Sequence, residues 1–208
     1  NNTATGNGGG ICLPSSSPTL SNCLISNNSA DQGGGSWIYD ATPHLKNITF
    51  IENSSTHGGG SYIASGEADI LNCTFAGNSS SSGEGGGVYS DGAVSIKNSI
   101  LWNSGFDEIT LSSLGSLSIS YSTVEGGQSS GVTGQGDVSW FDSNLESDPL
   151  LSDVGNLDIS LLPGSPCIDT GDPDLDGDEE TYLTDVDDQD PDGTRMDIGS
   201  SYFHQVDP

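Results

Sequence analysis

Basic residues are almost absent. Three Lys and Arg stand against 30 Asp and Glu, a formal net charge of −27 at pH 7 over 208 residues. A chain so poor in cations is not built to bind nucleic acid or an anionic membrane surface, since both draw on Lys and Arg. No apolar run approaches the roughly 20 residues of a membrane span. Neither an initiator Met nor a signal peptide is present, so the sequence reads as a processed form or a fragment. The four cysteines, at 12, 23, 73 and 167, show no C-x-x-C spacing, which argues against a zinc framework. H-E-x-x-H and P-loop motifs are missing too. Only 31% of residues are hydrophobic, a share compatible with disorder. The order of the residues is periodic, however, and that argues for a fold.

Glycine triplets stand at 8–10, 33–35, 58–60 and 85–87, in steps of 25, 25 and 27. Leu20, Leu45, Ile70 and Ile96 keep nearly the same step, as do Asn22, Asn47, Asn72 and Asn98. A further column reads "LISN" at 24–27, "FIEN" at 50–53, "FAGN" at 75–78 and "ILWN" at 100–103. Coincident columns at one period mark a solenoid. The units lack helix-favouring residues and an i, i+3, i+4 apolar stripe, whereas "SWIY", "HLKNITF" and "VSIKNSI" read as short strands. At about 3.3 Å per extended residue, one unit of 25 residues has a contour of roughly 80 Å, one turn of a three-sided tube. The fold expected is all-β: a right-handed parallel β-helix of about 25 residues per coil with a loop-rich acidic C-terminal cap. Its boundaries are 1–170 for the β-helix (regular coils 8–106, irregular coils and a capping loop 107–170) and 171–208 for the acidic segment.

Within this fold the glycines turn corners and let coils approach closely. The Asn columns stack as side-chain ladders. N-x-S/T occurs at Asn1, Asn27, Asn47, Asn53, Asn72 and Asn78, and glycosylation is the rival reading. Asn27, Asn53, Asn78 and Asn103 are aligned as one column. Cys23 and Cys73 lie two coils apart, beyond disulfide reach, and are expected to be buried small residues. Cys12 and Cys167 remain available to bridge. Trp140 and Phe141, in a long loop, are expected to cover part of the tube.

The sharpest chemical signal is C-terminal. "DPDLDGDEE" and "DQDPDG" each satisfy D-x-D-x-D-G, and 13 acids fall between Asp169 and Asp197. Alternate aspartates before a glycine aim hard oxygens at one centre, which suits Ca²⁺. The candidate ligands are Asp172, Asp174, Asp176, Asp178, Glu180, Asp188, Asp190, Asp192 and Asp197, with Asp185 and Asp187 available to either loop. Neither loop is an EF-hand, because position twelve is Leu183 or Gly199. A calcium ion here would be structural.

The triplets paired with F-x-x-N resemble the repeats of chlamydial polymorphic outer-membrane proteins. The longer pattern "GGG…PTLSNCLISNNSA" is similar to parallel β-helix repeat proteins of bacterial surfaces. "SISYSTVEGG", "ESDPLLSD", "LLPGSPCIDTGDP" and "DPDGTRMDIG" are similar to the closing region of secreted β-helix proteins with a choice-of-anchor domain. Ser36 and Ser61 depart from that pattern, which usually has Ile or Val there, and "SSYFHQ" follows "DIG" where "AYE" is usual. The resemblance implies a β-helix fold and an extracellular or cell-surface address; many such proteins are adhesive or structural.

Catalysis, sugar binding and a structural or adhesive role compete. A lyase would need a base near cations, and only Lys46, Lys97 and Arg195 are available. A hydrolase would need two spaced carboxylates, with Asp69, Asp91 and Glu67 as candidates. His44, His57 and His204 are isolated. Sugar binding would use exposed Trp37, Tyr62 and Tyr89. The reading favoured is a non-enzymatic structural or adhesive module of a surface protein or fibre. It would associate end to end or with neighbouring repeats, and glycans are possible ligands.

Overall fold

A computed structural model describes residues 1–203 apart from 104 and 106. Parallel strands stack as a β-solenoid of about 5 turns, with coils about 25 residues apart. One wall is a six-stranded sheet whose order follows the chain: Ile11–Pro14, Ser36–Tyr39, Ser61–Ile63, Val88–Ser90, Ile109–Leu111 and Val132–Gly134. A nine-stranded sheet forms the other two walls. The strand His44–Ile51 spans both, pairing first with Glu67–Leu71 and then with Thr74–Ala76.

The bend between those walls explains one Asn column. Asn22, Asn47, Asn72 and Asn98 have φ of 54°, 54°, 51° and 50°. This left-handed conformation is strained for most residues, and Asn tolerates it best after Gly. Side-chain bonding within the column is slight: Asn47 Nδ2 donates to Asn22 Oδ1 at 3.3 Å.

The other Asn column is a continuous buried ladder. The backbone N–H and side-chain amide of Asn53 both donate to Asn78 Oδ1, at 3.0 and 2.9 Å. Asn78 repeats the pattern onto Asn103 Oδ1 at 2.8 and 2.9 Å, and Asn28 repeats it onto Asn53. Asn28, not Asn27, is therefore the first-coil member above Asn53. Asn27 is exposed and left-handed, at φ 54°, with Glu52 at 55° and Gly77 at 63° below it. The frame of that motif shifts accordingly. Its core column is Ile25, Phe50, Phe75, Leu101 and Val124. Leu24 faces solvent, and Ile100 faces outward from the tube into a second cluster with Leu161, Cys167 and Ile198.

The remaining columns form as expected. Leu20, Leu45, Ile70 and Ile96 pair in register, with Ile119 continuing them. Phe50 and Phe75 stack at 4.6 Å and 8° in the tube centre. Cys73 is buried, whereas Cys23 is exposed at the first-coil end of the stack, where no coil covers it. All four cysteines are free, Cys12 being exposed and Cys167 buried against Thr123. The segment after Glu125 is not one long loop. A single π-type turn, Gly127–Gly131, leads into the strands Val132–Gly134 and Asp137–Trp140, which add a further coil. Trp140 packs against the core, but Phe141 is exposed.

The triplets have two distinct reasons to be glycine. Gly58 adopts φ 66°. At Gly59 a Cβ would lie 2.6 Å from the carbonyl oxygens of both Gly86 and Ser79, an overlap the backbone must relieve by moving. Gly59→Ala is therefore expected to cost about 1–3 kcal/mol, the range of an overpacked interior. A urea-denaturation midpoint unchanged by this substitution would contradict the packing.

Leu145 still pairs in parallel with Thr123; residues 146–203 then leave the stack and fold back along the third wall. Leu151–Asp153 and Asp158–Leu161 pair as an antiparallel hairpin, so this part of the expected irregular coils is not a coil. The acidic segment then crosses successive coils: Asp172 N–H donates to Asn98 Oδ1, Ser200 N–H to Thr74 Oγ1, and Ser200 Oγ meets Thr49 Oγ1. It covers the flank of the tube, where the outward residues Thr74, Ile100 and Thr123 are buried.

Candidate cation sites and outer surfaces

The acidic segment gathers some of its carboxylates and disperses others. Oxygens of Asp169, Asp190 and Asp197 lie within 4.8 Å of one another, as do those of Asp174, Asp176 and Asp188. A third set, Asp176, Asp178 and Asp185, shares Asp176 with the second. Asp172 belongs to no set: it pairs with Lys97 at 2.9 Å and accepts from Asp174 N–H. Asp192 accepts from Thr194, and Glu180 is exposed, its N–H donating to Asp178. Asp169 was not among the expected ligands. The signal was present, since it opens the Asp169–Asp197 run, but it lies outside both D-x-D-x-D-G strings.

Local turns position the gathered groups. Asp174 Oδ1 accepts from Gly177 N–H at 2.8 Å, with Gly177 at φ 81°. Asp197 accepts from Asp169 N–H and Phe203 N–H, which ties the two ends of the segment together. Asp188, fully buried, accepts from Leu175 N–H through Oδ1, while its Oδ2 is buried with no hydrogen-bond partner. Asp190 is 5% exposed, and its Oδ2 is likewise buried without one. Burial raises the Asp188 carboxyl, with Asp185, Asp176 and Asp174 adding repulsion. Burial also pushes Asp190 up to about 7, with Asp192 and Asp197 contributing. Asp197 is raised by burial and by the charges of Asp169 and Asp192.

The aromatic column runs Cys12, Trp37, Tyr62, Tyr89 on neighbouring strands. Tyr62 is not exposed as expected: it is buried, stacks on Tyr89 at 4.9 Å and donates its hydroxyl to Asp91 at 2.6 Å. Trp37 stacks on Tyr39 at 5.4 Å and 3°. Each cation and histidine described has its own setting. Lys97 pairs with Asp172, and Arg195 Nε donates to Gly171 O with its guanidinium 5.9 Å from the Tyr121 ring. Lys46 is exposed beside a cavity of about 380 Å³ shared with Asp187, Asp190 and Asp197. His44 pairs with Asp69 and His57 with Glu84. His204 lies outside the described residues. One G-x-S-x-G string occurs, "GQSSG" at 127–131, but it forms the π-type turn and not the strand-to-helix elbow that exposes a nucleophilic serine.

These features define a parallel β-solenoid repeat protein with an acidic segment folded along its flank. Residues 1–14 and 72–91 match the model of the Chlamydia polymorphic membrane protein repeat. The matched stretches carry the first and fourth glycine triplets and the Phe75–Asn78 motif, and they lie outside the C-terminal stretch likened to a choice-of-anchor region. No curated protein and no solved structure matches the chain. No helix among the described residues is long and apolar enough to cross a membrane.

Proposed function

We propose that this chain is a non-enzymatic structural or adhesive module of an extracellular surface protein. The observation that carries the reading is the glycine-triplet and F-x-x-N repeat, which the match to the Chlamydia polymorphic membrane protein repeat shares with this solenoid. The outer surfaces support it. Two of the three acids considered for hydrolysis are engaged separately, Asp69 by His44 and Asp91 by Tyr62, and Glu67 is exposed. Stacking within the aromatic column gives it a role in supporting the sheet, which weakens the sugar-binding alternative. The edge strand Ile11–Pro14 pairs on one side only. An unpaired strand edge accepts further strands, so a neighbouring repeat or a second copy is the partner we propose.

The test presents the purified chain both as a ligand and as an enzyme. Beads coated with it should attach saturably to epithelial cells, and soluble chain should compete. Incubation with pectate, alginate and heparin-type polymers should release no unsaturated uronides or new reducing ends. Release of such products would overturn the non-enzymatic reading, and coated beads that attach no better than albumin-coated ones would overturn the adhesive role.

A further inference from the structure

We propose that the acidic segment binds two calcium ions, one held by Asp169, Asp190 and Asp197 and the other by Asp174, Asp176 and Asp188, which together lock residues 169–203 to the solenoid. The inference goes beyond the surface role and does not depend on it. Its basis is the pair of buried oxygens, Asp188 Oδ2 and Asp190 Oδ2, each enclosed without a hydrogen-bond partner. A buried carboxylate oxygen with no donor is costly, and Asp188 and Asp190 each belong to a set of three carboxylates.

The spacing fits a hard cation. Ligand oxygens around Ca²⁺ lie at about 2.3–2.6 Å, so two on opposite sides of one ion are separated by roughly 4.8 Å. Both sets fall within 4.8 Å. Three carboxylates supply up to six oxygens, and water completes the six to eight that calcium takes. Neither set contains His or Cys, which disfavours softer metals. Magnesium demands a tighter octahedron and keeps most of its waters.

The ions would act mechanically. Asp197 already accepts from Asp169 N–H and Phe203 N–H. The adjoining Gly199 and Ser200 donate to Asn98 O and Thr74 Oγ1 on the tube. An ion between Asp169, Asp190 and Asp197 therefore clamps the strip that docks the segment onto the wall. The second ion fixes the Asp174–Gly177 turn against the buried Asp188.

The experiment uses the full chain, stripped with chelator and titrated with calcium chloride alone by calorimetry, with magnesium chloride as the comparison. Two saturable sites are expected, at roughly 10⁻⁴–10⁻³ M, the range of extracellular calcium modules. With both sites filled, calcium at a hundred times Kd should raise Tm by roughly 10–20 °C. Asp190→Asn should abolish one site and Asp188→Asn the other. Should a variant fail to fold, hydrogen exchange on the unaltered chain decides: calcium should slow exchange in 169–203 and leave the glycine-triplet strands unchanged. Absence of saturable binding, equal effects of magnesium, or protection spread evenly over the chain would each overturn the proposal.

Discussion

Asn78→Ala is expected to destabilise the protein by about 4–6 kcal/mol, enough to leave it unfolded or close to it. Asn78 is fully buried. Its amide donates to Phe50 O at 2.9 Å and to Asn103 Oδ1, and its own oxygen accepts both N–H groups of Asn53. Truncation strands donors on Asn53 and an acceptor on Phe50 inside the tube, where each uncompensated group costs about 1–3 kcal/mol. The loss of side-chain volume adds a cavity. Urea denaturation followed by circular dichroism measures the effect. Asn27→Gly, at an exposed left-handed position, is the control and should change stability by only a few tenths of a kcal/mol. A loss below about 1 kcal/mol at Asn78 would remove the ladder from the account of stability. The same burial predicts that the sequons at Asn53 and Asn78 carry no sugar, which intact-mass measurement checks.

The columns were legible because a solenoid writes its geometry into the sequence at a fixed step. Leu45, Ile70 and Ile96 are read from spacing alone, since equivalent residues must stack when coils are in register. The first-coil frame was not legible from its motif, because "SNNS" offers two adjacent asparagines. Distance from the corner would have settled it: Asn47 to Asn53 and Asn72 to Asn78 span the same interval as Asn22 to Asn28. Tyr62 was misplaced for a different reason. Strand alternation places it on the outer face, but contact with Tyr89 and Asp91 from the next coil buries it there. Burial of Asp188 and Asp190 depends on how the tail docks against the flank, and no local pattern encodes that contact. Composition drew attention to the segment; only the fold separates Asp172, neutralised by Lys97, from Asp188, left with a buried open oxygen.

The ladder ends on a carboxylic acid, and this makes stability depend on pH. Glu108 is fully buried and accepts from Asn103 N–H at 2.8 Å and from Asn103 Nδ2 at 2.6 Å. Burial pushes its pKa from 4.5 up to about 8; the Asn103 donors oppose that rise, and Glu125 adds to it. The folded state thus holds a proton that the unfolded chain releases near pH 4.5. Its stabilising effect is complete below that pH and is lost as pH climbs through about 8. Within that window one proton of difference removes about 1.4 kcal/mol per pH unit. The two Asn103 donors reach different oxygens of Glu108; Glu108→Gln keeps one acceptor for them and, like the protonated acid, carries no charge at any pH. Relative to the parent, the variant should gain on the order of 4 kcal/mol of stability between pH 4.5 and pH 8. The raised aspartates of the acidic segment add a slope of the same sign, but they are common to both chains and cancel in the difference. Stability curves that run parallel from pH 4.5 to 8 would show that Glu108 ionises as freely in the tube as in water, and the ladder would then need a different terminus.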